Sequence, residues 1–327
     1  MLEIIIVASI KVVVVVVAVL TGCAYSTYME RKVVAFMQHR VGPAYAGPRG
    51  LLQPIADAIK LIFKEDVVPS NVERVIFALA PAISFVPALL TFAVVPFAAD
   101  TALFGREIKM VISDLNIGIL FVFAVTSLGV YGIVLAGWSS GSKYSLMGAL
   151  RSSAQMISYE IGYGLSIIGV VLLANTLSLR ELVAQQATVF DWFVFKQPLG
   201  FLLYLTCAIA ETNRLPFDMP EAESELVAGY HTEYSSMRFA TFFIGEYANM
   251  LAVSAVGATL FFGGWQGPWL PSIVWFVLKV FLFMFLYIWL RGTLPRFRYD
   301  QLMSFGWKVL LPLALLNTMI TAAWVML

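Results

Sequence analysis

Between two strongly apolar stretches, the run Glu211 to Tyr234 (ETNRLPFDMPEAESELVAGYHTEY) gathers five glutamates and one aspartate around a single arginine, Arg214. Carboxylates beside hydrocarbon are costly to desolvate, so such a concentration implies a working role. With one arginine in the run, most of these acids lack a local counter-charge, and crowded like charges are expected to share protons. Glu221 and Glu225 stand four apart and share a face if the segment is helical, with Glu223 turned away, so that pair should couple most strongly. The alternative is a solvated acidic face, which would tolerate neutralisation at little cost.

Four further charges, Lys11, Glu160, Glu246 and Lys279, fall inside apolar stretches. Each costs about 2.5–3.5 kcal/mol to insert if central. Glu160 and Glu246 are expected to face the bundle and join the acidic run, and Lys11 and Lys279 to snorkel or pair; the competing reading makes the glutamates structural as well. Other chemistries find no footing. Gly137 to Gly141 (GWSSG) matches a nucleophile elbow but ends an apolar helix, where the elbow needs a preceding strand. His39 and His231 are the only histidines, too few and too far apart for a metal cluster or a confident base. Cys23 and Cys207, the only cysteines, can build neither a disulfide framework nor an iron–sulfur site. No glycine loop suited to cradling phosphate is present.

The elements that must hold these residues are membrane helices. Of the 327 residues, 60% are hydrophobic and 13% charged, and the mean hydropathy is +0.85, which places the chain among polytopic membrane proteins. The net charge of +1 gives no hint of nucleic acid. Apolar runs long enough for about 30 Å of hydrocarbon lie near residues 2–28, 73–98, 114–138, 154–175, 198–212, 238–263, 271–291 and 306–326. Eight transmembrane helices in a single all-α membrane domain, 1–327, are therefore expected. The fifth is short and ends at Glu211, as though a helix breaks where the acidic loop, 211–237, begins.

Lys and Arg are unevenly shared among the connections. Odd-numbered loops hold fourteen and even-numbered loops four, the first loop alone carrying Arg31, Lys32, Arg40, Arg49, Lys60, Lys64 and Arg74. By the positive-inside rule the odd loops, including the acidic one, face the cytoplasm and both termini face the periplasm. Leu20 to Cys23 imitates a lipoprotein cleavage box, but Glu3 replaces a basic start and Lys11 interrupts the apolar core, so a retained first helix is expected. From Val41 to Pro54, six of fourteen residues are Gly or Pro, which forces repeated turns. An amphipathic helix near 51–64 should follow, with Gln53, Asp57, Lys60 and Lys64 opposite Leu52, Ile55, Ile59, Ile62 and Phe63. It either frames an opening at bilayer level or merely covers the bundle.

Five segments resemble one family in order and over nearly the whole chain: the run from Glu211, MERKVVAFMQHRVGP (Met29 to Pro43), GLLQPIADAIKL (Gly50 to Leu61), ALRSSAQMISYE (Ala149 to Glu160) and PRFRYDQLM (Pro295 to Met303). They are similar to the H subunit of NADH:quinone oxidoreductase, respiratory complex I, whose mitochondrial counterpart is NADH dehydrogenase subunit 1. Gly141 stands where that family more often has asparagine. The resemblance implies an eight-helix component of a proton-pumping translocase in the bacterial cytoplasmic (inner) membrane, forming much of the quinone tunnel and linking quinone reduction to proton translocation.

Carried over by motif, Arg31, Arg40, Asp57 and Phe217 would lie near the tunnel. Glu160, Glu211, Asp218, Glu221, Glu223, Glu225, Glu233 and Glu246 would form the proton relay. The substrate would be ubiquinone or menaquinone. NADH, FMN and the iron–sulfur clusters would reside in partner subunits, and the partners would be the peripheral quinone-site subunits, adjacent small membrane subunits and lipid. Quinone reduction needs an electron source that this chain lacks, so no activity is expected from the isolated chain. Two rivals share parts of the pattern. One is the homologous membrane subunit of an energy-converting hydrogenase or of a ferredoxin- or deazaflavin-dependent dehydrogenase. The other, a stand-alone ion-coupled transporter, usually shows an internal repeat and a mid-membrane site, neither of which is visible here.

Overall fold

The computed structural model describes residues 2–103, 106–219 and 227–327. Helices dominate because long apolar runs leave the backbone no partner but itself within hydrocarbon. In chain order they are α1 (Leu2–Met37), α2 (Gln53–Phe63), α3 (Arg74–Thr91), α4 (Gly118–Ser139), α5 (Lys143–Ala174), α6 (Leu179–Ala184), α7 (Phe193–Lys196), α8 (Pro198–Glu211), α9 (Ser236–Phe261), α10 (Ser272–Thr293) and α11 (Tyr299–Met326). One antiparallel pair of three-residue strands, β1 (Thr101–Leu103) and β2 (Arg106–Ile108), is the only sheet among the described residues.

Among the described residues seven helices, α1, α3, α4, α5, α9, α10 and α11, are long and apolar enough to cross a bilayer. At the fifth expected span, α8 has 14 residues and so measures about 21 Å, short of the ~30 Å hydrocarbon layer. It nevertheless runs against α11: Gln197, just before its start, donates from Nε2 to Thr321 Oγ1 at 2.7 Å, near the end of the chain. Two helices outrun the hydropathy pattern. α1 continues through Glu30, Arg31 and Lys32 to Met37, and α5 begins at Lys143 and not near 154. In both cases polar side chains find partners inside the protein. Ser145 Oγ donates to Tyr230 O at 2.8 Å, and Gln155 Nε2 to the carbonyls of Ala210 and Phe217, each at 2.8 Å.

α5 is the central element and packs on α4, α8 and α11, while α3 bridges α4 to α9, and α1 and α10 flank α9. The α3–α4 contact is close enough that a Cβ on Gly132 would sit 2.5 Å from the backbone nitrogen of Ser84. Gly50, at φ +82°, turns the Gly/Pro-rich segment back on itself, and a Cβ there would meet Pro43 O at 2.3 Å.

Lys279 does not snorkel. Its Nζ donates to the carbonyls of Phe262, Gly264 and Gln266 at 2.5, 2.9 and 2.6 Å and lies 4.5 Å from the Trp192 ring centroid, tying down the turn that ends α9. Lys11 Nζ donates to Lys109 O at 2.7 Å. The same loop holds an ion cluster in which Asp114 takes Lys109 at 2.8 Å and Arg180 at 3.0 Å, and Arg180 also pairs with Asp100. Within α11, Gly306–Leu310 forms a π-helical turn. The Tyr159 hydroxyl donates to Leu302 O at 2.8 Å just before it.

Candidate functional site

The α8 helix ends at Glu211, whose side chain is buried with Oε2 lacking a hydrogen-bond partner among the described residues. Glu211 faces a cavity of about 40 Å³, room enough for a small number of waters. Thr126, Asn213, Tyr230, Glu246 and Asn249 are among its polar lining residues. Glu160, on α5, accepts a hydrogen bond from Ser127 Oγ and lies within electrostatic reach of Glu211. Gln155 pins both the end of α8 and Phe217, which fixes the course of the chain into the acidic segment. Asp218 is buried there and Glu233 half-buried further on. Glu221, Glu223 and Glu225 lie outside the described residues. Beyond them Tyr234 stacks on Phe77 at 4.0 Å, and burial pushes its hydroxyl up to about 12, so it stays protonated.

From this cavity a chain of charged and hydroxyl groups crosses the bundle. Tyr230 Oη donates to Glu246 Oε1 at 3.1 Å, and Arg214 Nη2 lies 3.9 Å from Glu246 Oε2. The same guanidinium reaches Glu30 Oε2 through Nη1 at 3.4 Å and stacks 4.5 Å from the Tyr247 ring centroid. Glu30 also accepts from Tyr247 Oη at 2.8 Å and from Arg291 Nη1. Arg214 therefore stands between two carboxylates, hydrogen-bonded to Glu30 and within ion-pair distance of Glu246.

Tyr247 is shared with a second, larger cavity. It encloses about 470 Å³ between α1, α2 and α9, with apolar walls from Leu20, Cys23, Leu61 and Phe243. Arg31 and Asp57 stand at its edge, Nη1 to Oδ2 at 2.6 Å, with Gln53 Nε2 donating to Asp57 Oδ1 at 3.0 Å. Its volume lies in the range of small-molecule sites, which are mostly apolar with a few placed polar groups. On α2 the apolar residues Ile55, Ile59 and Ile62 remain exposed, as suits a helix bordering lipid.

The other two residues carried over as tunnel candidates stand elsewhere. Phe217 is buried in an aromatic stack with Phe297 (5.6 Å) and Phe305 (6.5 Å). Arg40 borders a separate hollow, with Lys32, Phe285 and Trp289. The structure thus brings Glu160, Glu211 and Glu246 together, and Arg31 with Asp57, and leaves Arg40 and Phe217 apart from both groups. Sequence reasoning missed Glu30, Tyr230, Tyr247 and Arg291. A usable signal was the adjacent pair Glu246–Tyr247 deep in an apolar helix, together with a glutamate, Glu30, at the end of another.

The NADH dehydrogenase family model matches residues 10–322. Similar relatives include the H subunit of the NADH-quinone oxidoreductase of Protochlamydia amoebophila, 56% identical over 302 residues (92% of each chain). One of the two H subunits of the same enzyme from Geobacter metallireducens is 53% identical over 308 residues, 94% of this chain and 93% of its own. The H subunit from Thermomicrobium roseum is 55% identical over 306 residues, 91% of this chain and 90% of its own.

Proposed function

The chain belongs to the NADH dehydrogenase family, among the H subunits of NADH-quinone oxidoreductase, and from that premise we propose that its larger cavity admits the quinone and its buried charge chain carries the response to quinone reduction. The observation that supports this most is Tyr247, whose ring lines the 470 Å³ cavity while its hydroxyl holds Glu30. A ligand's change of charge in that cavity acts in a low-dielectric interior, where Coulomb interactions are strong. It would reweight the hold of Arg214 on Glu30 against Glu246, and Glu246 fronts the small cavity with Glu211.

In this reading electrons arrive from redox groups in partner subunits, and this chain binds, orients and supplies protons. Apolar walls hold the isoprenoid tail and the Arg31–Asp57 pair marks the polar mouth. Arg214 and Arg291 hold Glu30 in place to respond. Glu211, with Glu160 and the acids of the 211–234 run, takes up or releases the proton. The acidic run lies on the cytoplasmic side and both termini on the periplasmic side of a bacterial cytoplasmic membrane, which sets the quinone mouth beside the peripheral subunits.

The test is Asp57→Asn in the assembled complex. Loss of the ion pair at the mouth should raise the apparent quinone KM several-fold, with electron transfer from NADH to a water-soluble acceptor unchanged because that acceptor bypasses the cavity. An unchanged KM in assembled complex would remove the cavity from the quinone's path.

A further inference from the structure

On α1, Arg31 and the residues lining the larger cavity (Leu20, Cys23, Ala24, Thr27) share one face. At 100° per residue, Lys32, Val33, Phe36 and Met37 fall on the opposite face. There they meet α10 and form a groove of about 690 Å³ that also takes in Arg40, Phe285 and Trp289. Its floor is apolar and open: Phe36 is 84% exposed and Trp289 50%. The rim carries two cations that are held by neutral groups. Lys32 Nζ donates to Val41 O at 3.2 Å and lies 6.0 Å from the Tyr28 ring centroid, and Arg40 Nε donates to Gln38 Oε1 at 2.8 Å.

Trp289 stands four residues before the end of α10, the depth at which tryptophan anchors a span to the headgroup layer. Two cations at that depth, with no carboxylate among the groove's lining residues and an apolar floor running down into the bilayer, complement a ligand that is anionic at one end and aliphatic along its length. We propose that this groove binds one anionic glycerophospholipid, its phosphate held by Lys32 and Arg40 and an acyl chain lying along Val33, Phe36 and Phe285. The site is independent of the quinone reading, because it lies on the other face of α1 and none of its lining residues borders the larger cavity. It also gives Arg40 a role: the guanidinium grips the headgroup, and the Gly/Pro-rich turn that follows is fixed against the membrane surface.

The experiment uses the intact complex in nanodiscs containing phosphatidylglycerol or phosphatidylcholine with the same diazirine-bearing acyl chain, the labelled peptides being mapped after irradiation. Labelling of the Met37 end of α1 and of Phe285–Trp289 should be at least fivefold greater with phosphatidylglycerol. Each cation removed, in Lys32→Gln and then Lys32→Gln with Arg40→Gln, should lower it about fivefold, the pull of one basic residue on an anionic leaflet. Labelling along Val12–Val17 of α1 should not change. Equal labelling by both lipids overturns the proposal without recourse to any variant. So does undiminished labelling in the double variant, or absence of lipid label with a photoreactive residue at Phe36 crosslinking to a neighbouring subunit.

Discussion

Replacing Tyr247 with phenylalanine deletes a single oxygen from the junction between the two cavities. The ring stays, so its packing against the larger cavity and its stacking under Arg214 at 4.5 Å survive and the complex should assemble. What goes is the 2.8 Å hydrogen bond to Glu30 Oε2. A hydrogen bond to a charged group contributes about 1.5–3 kcal/mol, so the balance of Arg214 between Glu30 and Glu246 should shift by a factor of roughly 10 to 150. If that balance gates turnover, quinone reductase activity in reconstituted vesicles falls at least tenfold, the proton-to-electron ratio falls with it, and NADH oxidation by a water-soluble acceptor is untouched. Wild-type quinone turnover and proton yield in assembled Tyr247→Phe would refute the junction. Loss of the artificial-acceptor activity as well would point to damage elsewhere.

Glu211→Gln should leave the complex assembled and its redox centres reducible while slowing quinone-linked turnover and proton pumping together, measured as rate and proton-to-electron ratio in vesicles. Gly132→Leu forces a side chain into the backbone of α3 at Ser84; overpacking of this kind costs about 1–3 kcal/mol, to be read as a lower melting temperature and less intact complex on native gels. Lys109 first, then Arg180, holds the Asp114 carboxyl below its ordinary value of 3.8. Its stabilisation of the surrounding loop is therefore complete above that value and is lost as pH falls through the depressed one. Protection of the amides around Asp114, taken relative to their intrinsic exchange rates at each pH, should accordingly hold from neutral pH down to about 4 and fall below it, whereas Asp114→Asn should be less protected already at neutral pH.

Hydropathy made the long spans legible because each must be apolar along its own length, and Glu160 and Glu246 were legible as inward-facing because a charge in a span has few other places to go. The helix ends were less so. Glu30 reads as the start of a polar loop, yet it lies within α1 and its partners Arg214, Tyr247 and Arg291 lie 184, 217 and 261 residues away. Lys279 could be classed by type as snorkelling or paired, but a cage of three carbonyls beside a tryptophan has no local sequence signature. Arg31 and Arg40 looked equivalent in a basic loop, yet Arg31 lies within α1 and pairs with Asp57, whereas Arg40 follows the end of α1 at Met37 and borders the separate hollow. Local composition reports what a residue costs in lipid; it does not report which distant group meets that cost.

The π turn at Gly306–Leu310 acts as a phase shifter. It interposes a wide turn between the start of α11, anchored by Tyr159 at Leu302, and the part that reaches Gln197 through Thr321. Forcing the same residues into an uninterrupted α-helix would advance everything beyond the turn by about 100°, one residue's rotation, carrying Thr321 away from Gln197 while leaving the anchor at Leu302 in place. The chain's last sixteen helical residues are thus set a step out of phase with those before the turn, and a design that straightened this helix would trade local regularity for the loss of one of its two attachments.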